Sequence, residues 1–203
     1  MNIEIKKSNK LIPYKFAIKI LEKRVNDIKR GKKNELLWIL EHPLTYTAGV
    51  RYKNNEILDK KIRLIKTKRG GKITLHNPGQ KIIYFVIDLN KRKRDIRKLI
   101  NSIEKSIIQF LKNYKIKSKN DKKNIGIWVK DKKIAAIGIR VSRWVAYHGC
   151  SINISNNLNQ YLKIIPCGLD NKKVTSISEL ISIKPRKFEN NLAEIFIKNI
   201  NNI

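Results

Sequence analysis

Cys167 is enclosed by two residues with opposite effects on the backbone. It lies in the stretch KIIPCGLD, with Pro166 before it and Gly168 after it, so proline fixes one side of the loop and glycine frees the other. A thiol in such a loop ahead of a helix N-terminus would have a lowered pKa, and backbone N–H groups would lie near the sulfur. The pattern indicates a candidate nucleophile; the alternative is an inert buried thiol.

Lys133, at the start of the stretch KKIAAIGIR, is a second candidate for chemistry. It is either a solvated turn lysine or a partly desolvated lysine that can move a proton. The small residues Ala135, Ala136 and Gly138 leave one face of the predicted strand with little side-chain volume. Either a bound acyl chain or a packed helix can occupy that space.

A glycine pair in the stretch RGGKITLHNPGQ is a third feature. Gly70 and Gly71 allow a sharp turn and a close approach of the backbone to a ligand, while Arg69 and His76 flank the pair. The alternative is a hairpin turn with surface residues. The stretch is not a P-loop, because no Gly-Lys-Ser/Thr follows at the required spacing.

Metal chemistry is not indicated. The three histidines, His42, His76 and His148, show no His-x-x-x-His pairing, and the two cysteines, Cys150 and Cys167, are far apart in sequence. Zinc sites usually draw their ligands from closely spaced pairs of such residues. We therefore predict neither a metal site nor a cofactor.

The apolar pattern predicts the helices and strands that must position these groups. Apolar residues recur at helical spacing over 14–30 (Phe16, Ile20, Leu21, Val25, Ile28), over 95–114 (Ile96, Leu99, Ile100, Ile103, Ile107, Phe110, Leu111) and near the end of the chain (Leu192, Ile195, Phe196, Ile200). Short β-branched runs predict strands at ELLWILEH, IRLIK, KITLH, KIIYFVIDL, NIGIWVK, KIAAIGIRV and WVAYHG.

The order of these elements predicts the fold class. A polar turn in VKDKKIA predicts a hairpin, and a capping box of Ser176 and Glu179 predicts a short helix after the cysteine loop. Helices and strands alternate without a repeat or a linker. We therefore expect a single α/β (α+β) domain over residues 1–203, with a mixed sheet flanked by helices.

The charge of the chain has two explanations. Its 203 residues include 46 Lys and Arg against 16 Asp and Glu, for a formal net charge of +30. Such a field attracts an acidic partner, nucleic acid or an anionic membrane surface. The basic residues are spread throughout, however, and accompany many Ile and Asn, which fits a compositional drift. Without a basic tail or an aromatic-basic RNA motif, charge alone is weak evidence for nucleic-acid binding.

The sequence also predicts the compartment. No apolar run approaches the roughly 20 residues that span a bilayer, and the start MNIEIKKSNK lacks the apolar core of a signal peptide. We expect a cytoplasmic protein with no membrane partner and with free thiols.

Four blocks of the sequence resemble one family. EHPLTYTAG, RGGKITLHNPGQ, KIAAIGIRVSRWVAYHG and IIPCGLDNKKVTSISEL are similar, in content and order, to blocks of the lipoyl(octanoyl) transferases. The resemblance implies the α/β fold shared with biotin and lipoate protein ligases. It also implies transfer of an octanoyl (or lipoyl) group from acyl carrier protein to a lysine of a lipoyl domain, in 2-oxoacid dehydrogenases or the glycine cleavage H protein, through a cysteine thioester.

The resemblance also assigns site residues. It makes Cys167 the nucleophile and Lys133 its acid and base partner. It places substrate contacts at Arg69, Gly70, Gly71, Lys72, Ile73, Thr74, Leu75, His76, Ala136, Ile137, Gly138, Gly149, Cys150 and Ser151. The chain departs from the family pattern at Asn77, where glycine is usual, and at Cys150 and Ser151, where Phe-Ala is usual. Because Cys150 follows a predicted strand, we expect it to be a pocket or core residue.

Two other functions stay open at this point. An ATP-dependent lipoate or biotin ligase on the same fold would form an adenylate and need no cysteine nucleophile, so the pair of Lys133 and Cys167 argues against it. A basic nucleic-acid-binding module would bind bulk DNA or RNA in a salt-sensitive way and show no thiol chemistry. The family resemblance implies no nucleic-acid partner.

Overall fold

The computed structural model describes residues 2–166, 174–182 and 188–203. Its strands are β1 (Ile3–Leu11), β2 (Glu35–Glu41), β3 (Thr45–Ala48), β4 (Leu64–Lys66), β5 (Ile73–His76), β6 (Gln80–Asp88), β7 (Lys119–Asn120), β8 (Ile127–Val129), β9 (Lys132–Ser142) and β10 (Val145–Asn153). Its α-helices are α1 (Tyr14–Lys29), α2 (Ile96–Lys112), α3 (Ile177–Leu180) and α4 (Phe188–Asn201).

A mixed seven-stranded sheet is the centre of the fold, with the order β1-β2-β6-β10-β9-β8-β7. β1 runs parallel to β2, and the other neighbours are antiparallel. β8 and β9 form the hairpin that the polar turn predicts. Only a few residues of β9 pair with the short β8, so the rest of that β9 edge is available to a loop.

Alternate residues of the central strands face two separate cores. In β6, Ile83 and Phe85 pack with α2 and α4, whereas Ile82 and Tyr84 pack with α1. This period of two follows from the pleat of a strand. The sheet is therefore buried on both faces, and the predicted α/β fold with a mixed sheet flanked by helices is confirmed.

A second sheet of three strands, in the order β4-β3-β5, lies beside the first. Tyr46, Ile73 and Leu75 form its apolar cluster together with Tyr161 and Ile164. β4 and β5 both pair with β3 and not with each other. The glycine pair between them is therefore not the tip of a hairpin.

The helix predictions are confirmed in position, with one error in the apolar face of α1. The buried residues of α1 include Ala17, Leu21 and Val25, but Phe16 is 55% exposed. A stripe through positions 14, 17, 21, 25 and 28 leaves position 16 on the outer face of the helix. α2 buries five of the seven predicted residues, whereas Ile100 is half-buried and Ile96, in the first turn, is exposed. Its N-terminus is capped by Asp95, which accepts a hydrogen bond from Lys98 N.

Three strands were missed, and one cap was wrong. β1 carries mostly exposed residues, and β3 and β7 are short. Ser176 does precede α3, but its hydroxyl bonds to Ser178 Oγ and not to a backbone N–H, while Glu179 accepts from Thr175 Oγ1. The predicted capping box is thus replaced by side-chain bonds. None of the helices in the described ranges is long and apolar enough to cross a bilayer.

Candidate active site

A cavity of about 550 Å³ lies where the two sheets meet. Four chain segments supply most of its wall: 69–72, 122–125, 136–139 and 148–151. The first is the glycine loop between β4 and β5, and the last two are neighbouring stretches of β9 and β10. The cavity therefore forms at the β9 edge, where β8 has stopped pairing.

The structure brings most of the predicted substrate contacts to this one cavity. All of them line it except Ile73 and Leu75. These two side chains are fully buried in the apolar cluster of the small sheet, because alternate residues of β5 face opposite sides. Thr74 and His76, the residues that alternate with them, do line the cavity.

Lys133 is buried in the cavity wall. It is 6% exposed, so it is not the solvated turn lysine of the first interpretation. Its carbonyl oxygen accepts a hydrogen bond of 3.0 Å from Thr175 N, and Val174 forms a parallel bridge with it. The ammonium nitrogen lies 5.2 Å from the ring centroid of Trp128. A buried amine is thus held at the edge of a cavity whose other charged lining residues, Arg51, Arg69, Lys72, Lys122 and Lys123, are all basic.

Cys167 and Gly168 lie outside the described residues. The chain on either side of 167–173 is described, and both sides approach Lys133. Pro166 and Val174 line, together with Lys133, a second cavity of about 10 Å³, which is close to the space of a single water molecule.

The small residues after Lys133 divide between the two faces of β9. Ala136 and Gly138 line the large cavity, whereas Ala135 is buried in the core beneath α2 and α4. Of the three small residues predicted to leave space on one strand face, only Ala136 and Gly138 therefore do so at the large cavity. A Cβ atom on Gly138 would lie 3.2 Å from Gly70 O, so glycine permits the close approach of the neighbouring loop.

Arg69 fixes that loop. Its Nη2 donates to Thr47 O and Thr47 Oγ1, each at 2.9 Å, and its Nη1 donates to Gly70 O at 3.0 Å. Gly70 N in turn donates to Ile139 O at 3.1 Å, on the free edge of β9. Gly71 has φ +90, a conformation that favours glycine. The loop thus continues the sheet at the point where β8 ends.

All three histidines of the chain meet beside this loop, in a cluster with Tyr14 and Tyr84. The His42 and His76 ring centroids are 5.5 Å apart, and the His148 centroid lies 6.4 Å from that of Tyr84. His42 Nδ1 donates to the carbonyl oxygen of Ile12, so its Nε2, at 2.9 Å, accepts the Tyr84 hydroxyl hydrogen. The sequence predicted a substrate contact at His76 but gave no role to His42, His148 or the two tyrosines, because no spacing pattern connects them.

Burial keeps the three imidazoles neutral at physiological pH. It lowers the pKa of His42 to about 4 and the pKa values of His76 and His148 to about 3 each. Arg69 adds to the lowering at His76 and His148. The same burial raises the pKa of the Tyr84 hydroxyl. In the described ranges, no group of three or more His, Cys, Asp or Glu side chains could hold a metal ion.

His148 reaches this cluster through an irregular strand conformation. Its φ is +70, and its ring stacks on that of Tyr147 with centroids 4.9 Å apart. Neighbouring side chains of a regular strand point to opposite faces, so the two rings share a face because the backbone turns. Its Nδ1 is buried without a hydrogen-bond partner among the described residues and its ring lines the cavity.

A buried hydrogen-bond network ties His76 to the segment after 167–173. His76 Nδ1 donates to Gln80 Oε1 at 2.8 Å, and Gln80 Nε2 donates to Asn153 Oδ1 at 2.8 Å and to Tyr161 OH at 2.9 Å. Asn153 Nδ2 donates to Thr175 O at 3.0 Å. Because Thr175 N donates to the carbonyl oxygen of Lys133, the network connects the histidine cluster with the backbone of Lys133.

Two of the three departures from the family pattern, Cys150 and Ser151, line the cavity, and Asn77 is not among its lining residues. Asn77 bonds through its amide to Asn157 O and Asn156 Nδ2, at 2.8 and 3.0 Å. Cys150 is 4% exposed, and burial raises the pKa of its thiol. It lies within β10 and not after a strand, which corrects that detail. The expectation of a pocket or core residue agrees with its position, because Cys150 both lines the cavity and packs in the main core.

Comparison with known proteins gives close sequence relatives. The lipoyl protein ligase A/B catalytic domain matches residues 13–197. The octanoyltransferase of Wolbachia sp. subsp. Brugia malayi is 42% identical over 94% of this chain and 96% of its own length. The octanoyltransferase of Anaplasma marginale is 41% identical over 88% of this chain and 86% of its own length.

Solved structures share the fold at low sequence identity. A lipoate-protein ligase A bound with ATP gives a TM-score of 0.75 at 13% identity, over 98% of this chain and 86% of that one. A bipartite lipoate protein ligase from Thermoplasma acidophilum gives 0.72 at 13% identity, over 98% and 85%. The resemblance predicted from the four sequence blocks is confirmed: the chain belongs to the lipoyl protein ligase A/B catalytic domain family.

Proposed function

We propose that this protein is an octanoyltransferase, which moves an octanoyl (or lipoyl) group from acyl carrier protein to a lysine of a lipoyl domain through a thioester on Cys167. The acceptors we propose are lipoyl domains of 2-oxoacid dehydrogenases and the glycine cleavage H protein. One observation carries the proposal: a buried amine, Lys133, at the wall of a large cavity pairs with Val174 after the cysteine segment and shares a small cavity with Pro166 before it. Relatives more than 40% identical are named octanoyltransferases.

The first half-reaction is a thioester exchange. The Cys167 thiolate attacks the carbonyl carbon of the octanoyl thioester and forms a new C–S bond. The C–S bond to the donor breaks, and the donor leaves as a thiol with a proton from the Lys133 ammonium group. The two thioesters have similar free energies, so a sulfur nucleophile suits this step. Lys133 as ammonium favours the thiolate by charge attraction. We assign the oxyanion to backbone N–H groups around Gly168.

The second half-reaction is an aminolysis. The acceptor lysine, as a free amine, attacks the acyl-enzyme carbonyl, a C–N bond forms, and the C–S bond to Cys167 breaks. Lys133 as an amine accepts the proton of the attacking nitrogen, and the thiolate of Cys167 is regenerated. The product is an amide, which makes the overall transfer favourable. No step requires a metal or ATP.

The cavity supports acyl binding by its walls. Ala136, Gly138 and Gly149 present almost no side-chain volume, so an apolar chain can lie directly along β9 and β10. Neutral histidines at its border add no charge that an acyl chain would have to desolvate. We propose that the acyl group occupies this cavity, with its carbonyl next to Lys133.

We further propose one catalytic domain over 1–203 and a cytoplasmic location. Ile3 in β1 and Ile200 in α4 are buried in the same apolar cluster, which supports a single domain. A nucleophilic Cys167 must stay reduced, which favours a reducing compartment.

Mass spectrometry tests the function directly. The protein is mixed with octanoyl acyl carrier protein without ATP, and peptide mapping locates any added octanoyl group. We expect one octanoyl group on Cys167, which disappears in Cys167→Ala and persists in Cys150→Ala. Addition of a lipoyl domain should then release the group onto a lysine of that domain.

Two results would refute the proposal. An acceptor that is modified only when ATP and free octanoate or lipoate are present would indicate a ligase. Salt-sensitive binding to bulk DNA or RNA with no acyl adduct would indicate a nucleic-acid-binding module.

A further inference from the structure

Gly126 lies against the side chain of Lys133. It directly precedes β8, which pairs with the start of β9, and has φ +141. A Cβ atom added at Gly126 would overlap Lys133 Cε, and it would lie 3.0 Å from Lys133 Nζ and 2.6 Å from Ala135 O. Real Cβ atoms do not approach other atoms so closely. Any side chain at this position must therefore displace the lysine stem or the β9 backbone.

Trp128 bounds the same amine from the adjoining strand. It is the direct partner of Lys133 across the β8–β9 hairpin, after a bulge between Ile127 and Trp128. The indole ring centroid lies 5.2 Å from Lys133 Nζ, within the range at which an aromatic face attracts an ammonium group. Trp128 is 3% exposed, so little water weakens this attraction.

Trp128 also connects the amine to the cavity wall. Its Nε1 donates to Asn124 O at 3.0 Å, and the backbone and side-chain nitrogens of Asn124 donate in turn to the carboxylate of Asp121. Residues 122–125 form one side of the large cavity. The indole is thus held in place at its far end while its face lies toward Lys133.

We propose that Gly126 and Trp128 are positioning residues, which direct Lys133 Nζ into the cavity toward the reacting acyl group. The effect of this positioning on catalysis rests on the proposed function. The backbone of Lys133 is fixed by Thr175 N and by β8, but those bonds leave the long side chain free to rotate. Close contact at Gly126 and the aromatic face of Trp128 select one direction for it.

A double-mutant cycle separates positioning from a general structural effect. Gly126→Ala and Trp128→Leu are each made in the wild-type chain and in Lys133→Ala, and single-turnover acyl-enzyme formation is measured. Gly31→Ala is the matched control, because Gly31 also has a positive φ, +68, but nothing lies within 4 Å of its added Cβ. Thermal unfolding of every variant shows whether it is folded.

The cycle has a defined expected result. Gly126→Ala should lower the maximal single-turnover rate constant about 10²-fold with little change in the half-saturating donor concentration, the loss typical of a reacting group displaced by about 1 Å. Trp128→Leu should cost about 2- to 30-fold, the range of a cation–π contact, and Trp128→Phe should restore most of it. In Lys133→Ala neither substitution should have a further effect beyond about twofold, because the group they position is gone.

A second readout does not depend on activity. Acetylation of each lysine by acetyl N-hydroxysuccinimide is followed by peptide mass spectrometry. The labelling rate of Lys133, relative to that of exposed lysines, should change in Gly126→Ala and Trp128→Leu and stay the same in Gly31→Ala. A wild-type protein that forms no acyl-enzyme would refute the proposed function, and the labelling rates would still test the positioning.

Three outcomes would overturn the inference. Equal losses from Gly126→Ala in the wild-type and Lys133→Ala chains would make Gly126 a purely structural residue. A Trp128→Phe variant as impaired as Trp128→Leu would show that the bond to Asn124, and not the ring face, matters. Labelling of Lys133 that is unchanged in both variants would show that neither residue positions the amine.

Discussion

The buried histidine cluster makes the stability of this protein depend on pH between about 3 and 6.5. His42, His76 and His148 have folded-state pKa values lowered to about 4, 3 and 3, whereas an unfolded histidine has a pKa of about 6.5. The unfolded chain therefore binds more protons than the folded one in this range, and acid favours unfolding. The full contribution to stability is present above pH 6.5 and is lost as the pH falls toward the folded-state values.

The magnitude follows from the pKa differences. A pH of 5 lies about 1.5 units below the pKa of an unfolded histidine, and each unit corresponds to about 1.4 kcal/mol. Each histidine therefore lowers the free energy of unfolding at pH 5 by about 2 kcal/mol. The chain has three histidines, and all of them are in the cluster, so the total loss between pH 7.5 and pH 5 is about 6 kcal/mol. Domains are commonly stable by only about 5–15 kcal/mol, which makes this a large effect.

Other groups should contribute little in the same range. The carboxyls of Glu4 and Asp59 have pKa values held below their usual range, by a hydrogen bond from Arg24 and by the backbone N–H of Lys61, respectively. They therefore titrate at lower pH. The histidine signal can thus be measured separately from acid denaturation by carboxylates.

Urea unfolding at a series of pH values between 7.5 and 5 measures the loss. His148→Phe provides an internal check, since a chain with two histidines should lose about two thirds as much stability across the range. A free energy of unfolding that stays constant from pH 7.5 to pH 5 would refute the reasoning. It would mean that the imidazoles are either accessible to water or charged in the folded state.

Three further predictions concern the site. Lys133→Ala should slow both half-reactions by about 10²–10⁴-fold in rapid-mixing experiments, as expected for one acid/base group; an unchanged rate of acyl-enzyme formation would exclude it from the first step. The rate constant for acylation by limiting octanoyl acyl carrier protein should fall steeply as added salt shortens the Debye length to about 8 Å, while a small uncharged octanoyl thioester should react at a nearly constant rate. Equal salt dependence of the two donors would favour compositional drift as the explanation of the net charge. Gln80→Leu should lower the free energy of urea unfolding by about 2–6 kcal/mol, because it strands buried partners. Gln109→Leu should cost only about 1 kcal/mol or less, because Gln109 is exposed and accepts a single hydrogen bond, from Asn199, which keeps its bond to Ser106; similar losses would contradict this.

The sequence alone determined the features that depend on neighbouring residues. The helical spacing in α2 predicted its bounds within two residues, because its apolar side chains recur on one face. The blocks around Arg69, Lys133 and Cys167 predicted the family. Runs such as KIIYFVIDL predicted the buried strands, since β-branched residues favour a strand buried on both faces.

Features that depend on contacts between distant residues were decided only by the tertiary structure. β1 was missed because it is an edge strand, and its apolar alternation stops after Ile3 and Ile5, where a polar, lysine-containing run begins. Which residues of β5 face the cavity depends on the position of the small sheet, so Ile73 and Leu75 were assigned to the wrong side.

The surroundings of the candidate amine show the same division. Its place at the start of a strand could be read from the sequence, but the contacts with Gly126 and Trp128 arise from the bulged pairing of β8 with β9. The neutral state of the histidines likewise follows from burial, which requires both sheets and α1 to be assembled. Local pattern determines which elements form, whereas the packing of those elements determines which side chains meet and how they are charged.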